Sequence, residues 1–85
     1  MTRKELEEWA VENEVELVFL ADADDAIVGL GDDGQGFHVI YSMQKFIDSL
    51  VRSGMTEEDA HEWYSYNTIA SIPSMGRNRP IMQEL

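Results

Sequence analysis

A chain of 85 residues with no cysteine and a formal net charge of −11 reads as one small acidic domain, able to bury only about 60–65% of its unfolded surface. The composition excludes a disulfide framework, a thiolate zinc site and a cysteine nucleophile. No stretch approaches the ~18 apolar residues of a membrane helix and the N-terminus has no signal-peptide pattern, so the expectation is a cytoplasmic protein.

The charge is unevenly placed. From Glu5 to Asp33 there are eleven acids and no base: Glu5, Glu7, Glu8, Glu12, Glu14, Glu16, Asp22, Asp24, Asp25, Asp32 and Asp33. The other six acids are matched by the six bases, so this portion carries the whole imbalance. Such a surface repels nucleic acid and membranes and steers toward basic partners. A solvated face that promotes solubility is the simpler reading of the same charges.

In chain order, Thr2 with Glu5 forms a capping box, and Leu6, Trp9, Ala10 and Asn13 share one face, which predicts a helix over 3–13. Residues 15–20 alternate, with Val15, Leu17 and Phe19 opposite Glu16, Val18 and Leu20, and predict a strand. Residues 21–25 read as an acidic turn. The stretch 26–54 organises the rest. Ala26, Val28 and Leu30 predict one apolar face of a strand, and Phe37, Val39 and Tyr41 one face of the next. With Asp33-Gly34 between them, the pair predicts a hairpin. Ser42 is then an N-cap for a helix whose stripe is Met43, Phe46, Ile47, Leu50 and Val51, closed by Arg52 and Gly54. Thr56 caps another helix, reaching Ile69 or Ala70, with Ala60, Trp63, Tyr64 and Asn67 on its inner face. Pro73 ends it, residues 74–80 form a loop, and 81–85 predict a short edge strand. The expected fold is α+β: a three- or four-stranded, mainly antiparallel sheet with helices on one face, in the order α-β-β-β-α-α(-β).

The chemical motifs are weak. Gly29-Leu30-Gly31-Asp32-Asp33-Gly34 matches GxGxxG in letters, yet it opens a strand where a dinucleotide site needs a helix N-terminus, and two aspartates lie where phosphate belongs. The Asp22–Asp33 acids resemble a calcium loop but lack the central glycine and one ligand. His38 and His61 are the only imidazoles and read as strand-filling or surface residues, since catalytic zinc generally takes three protein ligands. Ser42, Ser49, Ser53 and Ser65 have no neighbouring base pattern. An aromatic platform of Trp63, Tyr64 and Tyr66 without a basic stripe suits nucleic acid poorly; core packing accounts for Trp63 and Tyr64, leaving Tyr66 as an exposed contact. No catalytic residue, metal ligand or cofactor is expected.

Residues 25–67 carry a resemblance. Asp25-Ala26-Ile27-Val28-Gly29, the apolar strand ending at Tyr41, Ile47 and Leu50, then Gly54-Met55-Thr56-Glu57-Glu58-Asp59-Ala60, Glu62-Trp63 and Tyr66-Asn67-Thr68 are similar to a family of small bacteriophage-encoded proteins of uncharacterised function. Members tend to continue into Gly-Glu-x-Thr-Pro before a final apolar strand, where this chain has Ser74-Met75-Gly76-Arg77-Asn78-Arg79-Pro80. The resemblance implies a phage origin, hence a host cytoplasm, and a small α+β fold, with no activity attached.

The functional expectation is an interaction protein that inhibits or modulates a host nucleic-acid-handling or defence protein, binding it as a nucleic-acid mimic through Glu5, Glu8, Glu12, Asp22, Asp24, Asp25, Asp32 and Asp33. The partner would be basic, with no direct contact to nucleic acid or membrane. One alternative is an accessory protein acting through Tyr66, Arg77 and Arg79 or as a homodimer paired along a sheet edge. Another is a small-molecule or nucleotide sponge built on the hairpin glycines.

Overall fold

A computed structural model of the chain describes residues 2–84. Helix α1 spans Arg3–Glu12, and its capping box is complete: the Thr2 hydroxyl accepts from the Glu5 amide and the Glu5 carboxylate from the Thr2 amide. Strands β1 (Ile27–Asp32) and β2 (Phe37–Ser42) form the antiparallel hairpin. Helix α2 (Met43–Arg52) follows without a linker, because Ser42 ends the strand and caps the helix by accepting from the Lys45 amide. Helix α3 (Glu57–Trp63) opens on Thr56, whose hydroxyl accepts from the Asp59 amide. It runs on into a π-helix over Tyr64–Ile69 and, past Ser71, a 3-10 turn over Ile72–Met75 that contains Pro73. Strand β3 (Ile81–Gln83) pairs parallel to β2, giving the sheet order β1-β2-β3. The architecture is the α+β fold expected, but the sheet is mixed where a mainly antiparallel one was expected, because the chain crosses over through α2 and α3 before β3 joins β2. Leu85, the last residue of the expected final strand, lies outside the described residues.

One core serves all the elements. Val39 and Tyr41 of the central strand are wholly buried against Leu6 of α1, Phe46 and Ile47 of α2, and Ala60 and Tyr64 beyond them. Each such large side chain contributes about 1.5–3 kcal/mol relative to exposure. The Tyr41 hydroxyl accepts from the Leu20 amide at 2.9 Å, and burial holds its pKa above the ordinary phenol value.

Three local expectations are corrected. Residues 15–20 form no strand; they carry no regular secondary structure and are held by side chains. The Leu20 amide goes to Tyr41, and the Glu16 carbonyl accepts from the Asn78 side chain. Within β1 a bulge between Ile27 and Gly29 resets the alternation, so Ile27 faces the core and Val28 is exposed, an extra residue on one strand being what flips a face. Beyond α3 the π-helix moves the inner face onto Ala60, Tyr64 and Thr68. Asn67 therefore points outward, and Trp63 is 40% exposed where core packing was expected. Val51, the last residue of the α2 stripe, also sits at the rim, 39% exposed.

Candidate functional site

All eight acids singled out in the sequence are exposed, and three of them, Glu5, Glu8 and Glu12, lie on α1. At its N-terminal end the Arg3 guanidinium lies over the Phe19 ring, 4.7 Å from the centroid, and pairs with Asp24 at 3.3 Å and Glu7 at 3.5 Å. This fastens the Asp24–Ala26 turn to the start of the helix. At the other end Trp9 meets Phe37 edge to face with centroids 5.0 Å apart, which sets the C-terminus of α1 beside the hairpin. There Glu14, Glu16 and Asp32 border one open groove with Arg77. Ten helical residues span about 15 Å. Glu5, Glu8 and Glu12 lie on one side of that span, at i, i+3 and i+7. The acidic flank is thus α1 with an acid-bearing segment by each end, Asp24 and Asp25 by its start and Glu14, Glu16 and Asp32 by its end, while Glu5, Glu8 and Glu12 project from the side of the helix opposite Arg3 and its partner Asp24.

The acids divide by what they already hold. Glu5 is engaged in the capping box, and its amide and hydroxyl bonds with Thr2 lower its pKa. Asp24 is paired with Arg3. Asp32 accepts from the Gly34 amide at 2.8 Å, and Asp33 from the Gln35 and Gly36 amides at 2.9 and 2.8 Å. The amides of the glycine-rich turn are therefore occupied by the chain's own carboxylates, the groups that would compete with any phosphate there. Glu8, Glu12, Glu14, Glu16, Asp22 and Asp25 make no ion pair among the described residues.

The residue that sequence reasoning missed is His38. It is buried at 5% exposure, with Nε2 2.9 Å from the second Asp33 oxygen and Nδ1 2.7 Å from the Arg79 carbonyl. A carboxylate and a carbonyl are both acceptors, so both ring nitrogens donate and the side chain is an imidazolium. The hydrogen bond to Asp33 is the main cause that raises its pKa, with the Arg79 carbonyl second and burial opposing. Asp33 is in turn held down to about 2, chiefly by the Gln35 amide and then by His38. No motif announces this pair, because the tertiary return of Arg79 supplies its third member.

Arg77 and Arg79 stand over this pair, lining a cavity of about 360 Å³ with Gln35, Pro73 and Gly76. Asn78 between them closes the corner: its oxygen accepts from the Phe37 amide and its nitrogen donates to the Glu16 carbonyl. Gly36 is required here, since a Cβ would collide with the Asn78 side chain. Tyr66 is 75% exposed on the π-helix, away from both arginines. Among the described residues no three His, Asp or Glu side chains converge in a way that would hold a metal ion, and no helix is long and apolar enough to cross a membrane. The two sheet edges are poor templates for pairing, as β1 is bulged and β3 is three residues long.

Compared with models of known protein families, with curated proteins and with solved structures, the chain matches none.

Proposed function

We propose that the chain is a non-catalytic binding protein whose acidic flank occupies the basic, nucleic-acid-contacting surface of a partner protein, inhibiting or modulating a host nucleic-acid-handling or defence protein in a phage setting. The observation that carries this reading is the concentration of uncompensated acids on and beside α1: Glu8, Glu12, Glu14, Glu16, Asp22 and Asp25 are exposed and have no cation of their own among the described residues.

Charge density decides what kind of mimicry is meant. Glu5, Glu8 and Glu12 are separated by about 5 Å per charge along the helix axis, whereas duplex DNA carries one charge per ~1.7 Å. The row alone supplies about a third of the duplex density. It competes as a polyanion for a basic groove and does not copy the phosphate positions one for one.

The test compares the native chain with the variant Glu8→Gln/Glu12→Gln/Asp22→Asn/Asp25→Asn in capture from bacterial lysate, washed at low and at ~1 M salt, where the screening length falls to ~3 Å. The expected result is a basic nucleic-acid-binding protein held by the native chain at low salt, released at high salt, and absent from the variant. It should be displaced from the native chain by added duplex DNA. A partner that survives both neutralisation and high salt overturns the reading.

A further inference from the structure

The α3–π-helix junction forms a second site that does not use the acidic flank. Met55, Asp59, Glu62, Trp63, Tyr66 and Asn67 line an open groove of about 400 Å³, within the size range of ligand sites. Its floor is apolar and aromatic. Trp63 stacks one face on Phe46 with centroids 6.0 Å apart and planes 28° apart, yet the ring stays 40% exposed, and Tyr66 is 75% exposed beside it. Its rim is anionic: Asp59 and Glu62, at i and i+3, share a helix face and make no ion pair among the described residues.

The π-helix is what builds it. The Asn67 side-chain nitrogen donates to the Trp63 carbonyl at 3.1 Å, the group that an α-helical Asn67 amide would reach. The widened turn keeps Tyr64 and Thr68 buried while Tyr66 and Asn67 face solvent. The Asn67 oxygen remains as a further acceptor. Neither proline nor glycine occurs in Tyr64–Ile69 to explain the irregularity, and π-turns of this kind recur at functional positions.

We propose that this groove binds an arginine side chain presented by an extended segment of a partner protein. Charge complementarity and ring geometry select the occupant. A guanidinium is planar, so it can lie against Trp63 or Tyr66 while its N–H groups reach Asp59, Glu62 and the Asn67 oxygen. A lysine ammonium offers only a point charge, and an anionic ligand is repelled by the rim.

The test uses the full chain labelled with nitrogen-15 and the peptide acetyl-Ala-Arg-Ala-amide, following the two tryptophan indole signals by NMR. The Trp63 signal, assigned by Trp63→Phe, is expected to shift saturably while that of Trp9 stays in place. Replacing arginine by neutral, isosteric citrulline should weaken binding by at least about fivefold, and Tyr66→Ala by about two- to fivefold. Tyr66 is exposed enough for that change to spare the core. Glu62→Gln should weaken binding as well, and Glu8→Gln/Glu12→Gln should leave the Trp63 response unaltered, which separates this site from the flank. Equal binding of the citrulline peptide overturns the proposal. So does a response abolished by the Glu8 and Glu12 changes, or the lack of any Trp63 shift at millimolar peptide.

Discussion

At the level of single residues, His38 is the side chain whose chemistry depends most on its surroundings. Its pKa is raised in the folded chain, so the stability it contributes is complete below the unfolded value of about 6.5 and is lost as pH rises through the higher folded value. Asp33 works in the opposite direction. Its folded value of about 2 lies below the ordinary 3.8, so its contribution is present above that ordinary value and disappears as pH falls toward 2. Together they predict a stability maximum between about pH 4 and 6.5. Chemical denaturation across the pH range should show the decline above neutrality, and His38→Gln should flatten that limb. A native chain whose stability is level from pH 6 to 9 would contradict the imidazolium assignment. Asn78 acts at the same scale, since one amide joins the hairpin, the 15–20 segment and the arginine loop.

Among the elements, the helix ends show how closely local sequence can match local geometry, and where it does not. Helix α2 ends in a Schellman motif: the Gly54 amide reaches the Val51 carbonyl and the Met55 amide that of Leu50, with Gly54 at φ +119°. Helix α1 ends in the same pattern, with the Glu14 amide on Val11 and the Val15 amide on Ala10, but the left-handed position is filled by Glu14 at φ 55°. A non-glycine residue there is strained by about 1–2 kcal/mol, and glycine costs about 0.5–1 kcal/mol in chain entropy. Glu14→Gly is therefore expected to stabilise the chain by about 0.5–1 kcal/mol, read as a rise in thermal midpoint. An unchanged or lower midpoint would mean that the Glu14 carboxylate is held by a contact along the flank.

For the whole molecule, a net charge of −11 on 85 residues sets two tendencies against each other. Exposed carboxylates repel one another in the compact state, while the Arg3 pairs and the His38–Asp33 pair draw segments together. The Arg3 pairs are half-exposed, of the kind worth about 0–1 kcal/mol. Repulsion among the many uncompensated acids outweighs so few bonds. The thermal midpoint should accordingly rise as sodium chloride is increased from ~0.01 M to ~1 M and the screening length shrinks from ~30 to ~3 Å. A falling midpoint would show that the acidic face is tied down by ion pairs and is not the open surface the proposed function needs.

Much of this was legible in the sequence because it is local. The Thr2–Glu5 box, the Ser42 and Thr56 caps, the α2 stripe and the glycine-rich hairpin depend on residues within a few positions of one another, where spacing alone dictates geometry. The concentration of acids ahead of Gly34 is likewise a property of the chain order. What spacing cannot carry is who meets whom. Residues 15–20 have the alternation of a strand, but β2 already has neighbours on both sides and the segment is tied instead to Tyr41 and Asn78. The bulge at Val28 and the π-turn after Trp63 each shift a face by one residue, which no periodic pattern anticipates. The burial of His38 against Asp33 and Arg79, the placing of an acid-bearing segment by each end of α1, and the aromatic groove at Tyr66 were decided only by the tertiary fold, because each depends on contacts between side chains and backbone groups that the packed core alone brings within reach.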